Sequence, residues 1–360
     1  MTDVLAQTID AIKPLDQAAM RAAEERQLQL TKPPRALGRL ETLSIQLAGI
    51  QGRPLPAIEH KAIAVMAADH GVTAEGVSAF PAEVTPGMVL NMVTGGAGIN
   101  VIGRHVGARV VVTDVGVNAD LSGADIRHQK VRMGTANMAQ GPAMTRDEAI
   151  RAVEIGIAVV EEELENGLDI IATGEVGIGN TTAASAVIAA LTGRPVAEVT
   201  GRGTGISPEA LLAKVGVIER SLAVNAPDAA DPIDVLAKVG GLDIAAMTGV
   251  FLGGAAHRVP VVMDGFISSA AALAAARLSR ECVDYILPSH VSIEKGHQAV
   301  LDELGLVPLF DLEMRLGEGT GAALSMSIVE AAARILSEMA TFESAGVAGD
   351  PSEADSRLTR

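Results

Sequence analysis

Two stretches of this chain set glycines around side chains that could hold an anion or move a proton. The first is Gly174-Glu175-Val176-Gly177-Ile178-Gly179-Asn180-Thr181-Thr182, where a short apolar run gives way to an Ala-rich helical segment. Glycines let the backbone approach a ligand closely, and the following helix presents amide N–H groups and a positive dipole end to an anion. Thr181 and Thr182 add hydroxyl donors. Phosphate binding is one reading of this loop; a tight strand–helix turn that needs glycine only for packing is the other. No Gly-Lys-Ser/Thr follows, so it is not a Walker A loop, which disfavours a Mg-dependent nucleotide hydrolase. The second stretch is Arg315-Leu316-Gly317-Glu318-Gly319-Thr320-Gly321. Its Glu318 stands uncovered between glycines ahead of a helix. An acid there can stabilise a helix N-terminus, worth roughly 0.3–1 kcal/mol, or take a proton from a ligand.

Other candidates are weaker. Gly201-Arg202-Gly203-Thr204-Gly205 is a further glycine cluster, followed on a helical segment by Lys214, where a lysine is ordinarily a solvated surface charge. Gly95-Gly96-Ala97-Gly98 precedes a helix but does not directly follow a strand, so the dinucleotide fingerprint fails in context. Asp69-His70 and the trio His290, Glu294 and His297 are metal-ligand types. The break at Ser292 spoils a common helical face, however, and the chain lacks His-Glu-x-x-His. No metal and no cofactor are expected.

The elements that must position these groups read as alternating strands and helices. Apolar runs at Ala62–Ala67, Val110–Val115, Ile170–Thr173, Val259–Met263, Tyr285–Leu287 and Pro308–Leu312 are nearly continuous, the pattern of strands buried on both faces of a parallel sheet. Helices between them imply right-handed crossovers. Thr85-Pro86 reads as an N-cap with proline at the first helical position; Asn180-Thr181 precedes a helix over 182–191 and Ser292 one over 293–303. The last helix spans roughly 320–339. Near the start, Leu5, Ile9 and Ile12 recur at helical spacing, a second helical run follows Pro14, Lys32-Pro33-Pro34 breaks the chain, and another helix covers Leu37 to Leu47. In open parallel sheets ligands bind beyond the carboxyl ends of the strands. The small and polar residues of the glycine loops fall at that edge.

Composition narrows the class. The chain has 360 residues, 48% of them hydrophobic, but aromatics are only 2% while glycines number 38. The core is therefore built from Ala, Val, Ile, Leu and Met in close helix–sheet packing. A formal charge of −16 argues against a nucleic-acid surface, which needs clustered cations and usually stacking aromatics. One cysteine, Cys282, excludes an internal disulfide. The opening residues lack a signal pattern and no window is apolar and long enough to span a bilayer, so a cytoplasmic protein is expected.

Taken in order, these segments resemble the nicotinate-nucleotide:dimethylbenzimidazole phosphoribosyltransferase family of cobalamin biosynthesis. The resemblance is carried by Lys32-Pro33-Pro34 through Glu41, Ala68-Asp69-His70-Gly71-Val72, Gly174 to Thr182, Lys238-Val239-Gly240-Gly241-Leu242-Asp243, Met263-Asp264-Gly265-Phe266, Ser289 to Ser292 with Glu294-Lys295-Gly296, and Arg315 to Ala322. It runs from about residue 30 to 340. It implies an α/β fold with a parallel Rossmann-like sheet flanked by helices and a small helical domain formed from both chain ends. The expected division is 1–30 plus about 325–345 for the helical domain, 31–324 for the catalytic domain and 346–360 for a disordered tail. It further implies a homodimer that uses nicotinate mononucleotide and a benzimidazole-type base, with no nucleic-acid or membrane partner.

The resemblance also assigns residues. Glu318 matches the catalytic base. Glu175, Gly177, Gly179, Asn180 and Thr181 fall in the loop that meets the ribose phosphate, Lys214 and Ser292 match its polar partners, Asp264 lies in the Met263–Phe266 motif, and Ser78 to Met88, with Phe80 and Met88, looks like the wall around the incoming base. Many members carry Gly-Ser where this chain has Arg35-Ala36, a change confined to a surface turn. Many also carry a glutamine where Pro86-Gly87-Met88 stands here, which makes the pocket greasier and leaves the identity of the base open. In the implied reaction the donor's pyridinium leaves as neutral-ring nicotinate, the base attacks from the opposite face, and Glu318 accepts its ring proton, a contribution of about 10²–10⁴-fold. The same scaffold also admits a pyridine-dinucleotide oxidoreductase, a nucleotide-binding protein without chemistry, or hydrolysis of the donor by water.

Overall fold

The computed structural model describes residues 2–203 and 205–348. Strand β1 (Lys61–Ala68) lies at the centre, and every one of its residues is buried. Because successive side chains of a strand point to opposite faces, Ala62, Ala64, Met66 and Ala68 join one hydrophobic cluster while Ile63, Val65 and Ala67 join another. That two-sided burial is what the unbroken apolar runs encode.

Beside β1 stand β2 (Ala108–Gly116), β3 (Arg127–His128), β4 (Ile170–Val176), β5 (Val261–Met263) and β6 (Ile286–Pro288). They form one sheet in the order β3-β2-β1-β4-β5-β6, with every pairing parallel. The chain works outward from β1 to one edge and then returns to build the other half. The point of reversal, between β1 and β4, is where a doubly wound sheet opens a crevice.

Helices precede and cover the sheet: α1 (Asp3–Ala11), α2 (Gln17–Gln29), α3 (Arg39–Gln51), α4 (Val84–Val93), α5 (Gly98–Val106), α6 (Arg146–Glu165), α7 (Asn180–Thr192) and α8 (Val196–Val199). The second half supplies α9 (Pro208–Asn225), α10 (Pro232–Val239), α11 (Leu242–Ala256), α12 (Phe266–Leu278), α13 (Lys295–Leu304), α14 (Thr320–Glu338) and α15 (Phe342–Ala345). Helices α6, α7, α10, α11 and α12 pack on the face of Ala64 and Met66, and α3, α4, α5 and α14 on the face of Ile63 and Val65. A third, small cluster joins Ala23 of α2, Ala48 of α3 and Leu336 of α14. Among the described residues no helix is long and apolar enough to cross a membrane.

Three expectations need correction. Pro308–Leu312 is not a strand: it contributes a single bridge, Phe310 to His290, and both Val307 just before it and Leu312 at its end are solvent-exposed, so the run is not sandwiched as a buried strand must be. Thr85 is not an N-cap, because turns from Pro81 and Ala82 start the helix earlier, at Val84. Its fully buried hydroxyl instead accepts the N–H of Ile178 at 3.0 Å. Strand β3 was not anticipated, since two residues reading Arg127-His128 carry no apolar run. The expected disordered tail over 346–360 lies, from 349 on, outside the described residues.

The aromatic-poor composition shows its use where α6 meets α11. A Cβ placed on Gly156 would lie 1.8 Å from the carbonyl oxygen of Ala246, and one on Gly249 would lie 1.8 Å from that of Val153. The two backbones touch, so neither site has room for a methyl group. We expect Gly156→Ala to destabilise the chain by about 1–3 kcal/mol or more through overpacking, read as a lower denaturant midpoint at unchanged slope. An unchanged midpoint would show that the helices separate freely.

Candidate active site

Beyond the carboxyl ends of β4, β5 and β6 lies a cleft of about 710 Å³. Its far wall is the start of α4 and the residues before it, with Phe80, Val84 and Met88 facing in. Phe80 is 52% exposed, so its ring is free to be covered by a ligand in the cleft. Phe266, Ile267, Ile178 and Leu316 extend this apolar lining.

Opposite stands the glycine loop. A Cβ on Gly177 would sit 2.1 Å from the carbonyl oxygen of Ala68, so the loop is pressed flat onto the end of β1. Gly179, the N-cap of α7, has φ of +97°, a left-handed turn that only glycine adopts without strain. The turn aims the start of α7 at the cleft. Asn180 donates its side-chain amide to Glu175, and the Thr181 hydroxyl accepts from Lys214 Nζ at 2.8 Å. Lys214 is not the solvated charge its position in a helix suggested; it is 1% exposed. Burial pushes its pKa down to about 8, against the pull of Glu294. Glu294 in turn accepts the Gly203 N–H at 3.1 Å.

Glu318 occupies the strained centre of the site. Its φ is +62°, between Gly317 at +79° and Gly319 at +90°. Left-handed backbone at a non-glycine residue costs on the order of 1–3 kcal/mol and persists only where its surroundings fix it. Those surroundings are specific. Asp264, at the end of β5, accepts the N–H groups of Gly319 (3.2 Å) and Ala322 (2.9 Å), clamping the start of α14. Gly174 in β4 leaves room for the Glu318 carbonyl, which a Cβ there would approach to 2.4 Å. The Glu318 carboxylate then accepts the Ile99 N–H at 3.1 Å, in the first turn of α5. So the acid does sit at a helix N-terminus, though of α5 rather than its own α14, and it lines the cleft as well. Burial raises its pKa, the Ile99 N–H opposes that, and Asp264 adds to it.

Of the residues singled out from the sequence, Glu318, Glu175, Gly177, Asn180, Thr181, Ser292, Phe80, Met88 and Asp264 line this cleft. Lys214 reaches it through Thr181, and Gly179 shapes the turn from behind, packed on His70 and Thr73. Asp69 and His70 do not line it. His70 pairs with Asp243 at 3.2 Å beneath the loop, both fully enclosed. Burial works against its charged form, but Asp243 and Asp69 outweigh that and raise its pKa. Of the trio His290, Glu294 and His297, the first two line the cleft as well; His297 accepts the Ser292 N–H at 2.9 Å, and burial, then His290, push its pKa down to about 3. Sequence reasoning passed over Arg315 and Gly203 as site residues, although both stood in motifs already noted. Nothing in the sequence signalled the Thr85 tie to the loop.

A phosphoribosyltransferase family model matches residues 12–347. The chain is 59% identical over 345 residues to the nicotinate-nucleotide–dimethylbenzimidazole phosphoribosyltransferase of Chloroflexus aggregans, covering 96% of this chain and 98% of that one. It is 58% identical to the protein of the same name from a Roseiflexus species, again over 96% and 98% of the two. Among solved structures, CobT from Thermus thermophilus superposes with a TM-score of 0.89 at 47% identity, covering 92% of this chain and 100% of that one.

Glu175 supplies a test of the electrostatics. Burial, then Asp243 and Asp264, push its pKa up to about 8, with the Asn180 amide and the Glu318 N–H pulling the other way. Its folded pKa thus exceeds the unfolded value, so the protonated form favours the fold, fully so below about pH 4.5 and progressively less as pH rises through about 8. We expect Glu175→Gln to flatten the fall of melting temperature between those limits, measured by calorimetry across pH. Parallel curves for parent and variant would mean that this carboxyl ionises in the ordinary range.

Proposed function

Because the chain belongs to the phosphoribosyltransferase family whose model spans residues 12–347, and is therefore a transferase of phosphoribosyl groups, we propose its particular reaction. It moves the 5-phosphoribosyl group from nicotinate mononucleotide to 5,6-dimethylbenzimidazole or a related base. The products are α-ribazole 5′-phosphate and nicotinate, within assembly of the cobalamin nucleotide loop. The names of the relatives support the substrates. The observation that carries the mechanism is the placement of Glu318, a desolvated carboxylate in a cleft with an apolar wall on one side and a glycine loop on the other.

The steps follow from those positions. The start of α7, Thr181, Ser292 and the Lys214 charge behind Thr181 hold the ribose phosphate, so the sugar is fixed and the gain is positional. Phe80, Met88 and Val84 form the wall against which the flat base lies. Its unprotonated ring nitrogen attacks the anomeric carbon as the carbon–pyridinium bond breaks, and that bonding pair returns to the nicotinate ring. Glu318 takes the proton from the other ring nitrogen, leaving the new nucleotide neutral at its base. Attack opposite the leaving group inverts the anomeric carbon. The cationic leaving group needs no metal to depart, and no cofactor enters the reading.

The rest of the reading is of the same kind. The helices of 1–30 and about 325–345 form a small helical domain on the 31–324 catalytic unit, supported by the Ala23, Ala48 and Leu336 cluster, to which α3 also contributes. A homodimer and a cytoplasmic location accompany it, on the strength of the resemblance.

Incubation of the chain with nicotinate mononucleotide and a panel of bases, followed by mass spectrometry and NMR, tests the whole. Release of nicotinate without any added base would favour hydrolysis instead. Glu318→Gln should bind both substrates and lose about 10²–10⁴-fold in kcat; a loss under about threefold removes the general base. Since the raised pKa must be exceeded for Glu318 to accept a proton, parental kcat should fall on acidification with a midpoint above the ordinary glutamate value of 4.5. Lys214 works in the opposite sense. Its pKa is lowered to about 8, so its charge, and with it donor affinity, should decline as pH rises through about 8. Calorimetry of Lys214→Ala should show weaker nicotinate mononucleotide binding, by about tenfold or more, with base binding little changed. Equal loss of both would place Lys214 in the scaffold alone.

A further inference from the structure

The charges that line the cleft do not balance in the way a doubly anionic donor requires. Four acids face it: Glu175, Asp264, Glu294 and Glu318. Each has a partner in the protein, namely the Asn180 amide, the Gly319 and Ala322 N–H groups, the Gly203 N–H with the Lys214 charge, and the Ile99 N–H respectively. Lys214 is enclosed and committed to Thr181 and Glu294. His290 also lines the cleft, but its Nδ1 is engaged by the Ser289 hydroxyl at 2.9 Å and lies 4.0 Å from Asp264, and its ring stacks on Phe310.

Arg315 is different. It lines the same cleft and is exposed. Among the described residues it makes no hydrogen bond and no ion pair; its one charged influence is a long-range attraction to Glu294. Its backbone is nonetheless well placed. It stands three residues before Glu318, on a segment that Leu316 rests against Gly98 and that Asp264 clamps at Gly319. A side chain with five N–H donors in a planar fork is therefore presented to the ligand space with nothing from the protein to satisfy it.

The donor proposed above carries two anionic groups, a phosphate and a ring carboxylate. The phosphate is provided for by the glycine loop, Thr181, Ser292 and Lys214. The carboxylate would enter a cleft lined by acids, and a guanidinium is the group whose geometry matches it bidentately. We propose that Arg315 pairs with the ring carboxylate of the donor and so makes the enzyme select nicotinate over nicotinamide nucleotides. An amide in that place is neutral and offers the fork one acceptor oxygen where the carboxylate offers two. This inference rests on the donor reading of the preceding subsection, and its test is chosen to stand apart from turnover.

The test is calorimetric binding of nicotinate mononucleotide, nicotinamide mononucleotide and nicotinate riboside to the parent chain, Arg315→Gln and Arg315→Lys. The parent should prefer the acid to the amide nucleotide. Arg315→Gln should weaken nicotinate mononucleotide and nicotinate riboside alike, by roughly ten- to a hundredfold, and leave the amide within about threefold. Arg315→Lys should recover part of the loss, since it restores charge without the fork. The riboside has no phosphate, so a loss confined to the phosphorylated ligands would reassign Arg315 to phosphate and overturn the proposal. Equal weakening of acid and amide, no preference in the parent, or no change in Arg315→Gln would each overturn it too. If the parent shows the preference and Arg315→Gln removes it, yet no base is ever ribosylated, then the transfer reaction fails while the role of Arg315 stands.

Discussion

A carboxylate held out of water has to be kept from drifting or pairing with a cation. The Gly317–Gly319 turn meets both demands for Glu318. Three successive left-handed residues turn the chain sharply, Asp264 ties down its far side, and Gly174 yields the space its carbonyl needs. A single backbone N–H, from Ile99, then holds the side chain without the full neutralisation that an arginine or lysine would impose. The strain in this turn is sustained by four separate elements, β4, β5, α5 and α14. That explains why the glycine-rich motif around Glu318 cannot be understood from its own helix.

The same economy of charge runs through the rest of the site. Burial first, and then the carboxyl groups of Asp243 at the start of α11 and Asp264 at the end of β5, raise the pKa of Glu175 to about 8. The protein answers with neutral or hydrogen-bonded forms: an Asn180 amide, helix-start N–H groups, and a His70–Asp243 pair sealed under the loop. Such a pair is expensive to bury, and its location directly beneath Gly177 and Gly179 suits a role in fixing the loop's backbone rather than in touching substrate.

Much of this was legible in the residues. The sheet could be read because β1, β2 and β4 are apolar on both faces, and the cleft because glycines and polar groups follow those strands. The failures are equally physical. Pro308–Leu312 has the composition of a strand but only one bridge, since burial, not composition, makes a strand. Thr85 looked like a cap because caps are local, whereas its real partner, Ile178, lies 93 positions away. Lys214 looked solvated because nothing in a helix of mixed character says that its inner face meets Thr181 and Glu294. Long-range pairings of this kind leave no periodic trace. Of them, only the place of Lys214 beside the glycine loop was offered by the sequence, and that through resemblance.

Helices α6 and α11, whose main chains touch, have a consequence for how such a molecule can diversify. A contact between two backbones admits no side chain larger than hydrogen, so Gly156 and Gly249 cannot be exchanged without moving the helices apart. The wall of the cleft is not so bound. Around Phe80 and Met88 the wall is formed by projecting side chains with solvent beyond them, free to be exchanged one at a time. A change in what this wall accepts can therefore be written along one short stretch, while the packed helices behind the sheet stay as they are.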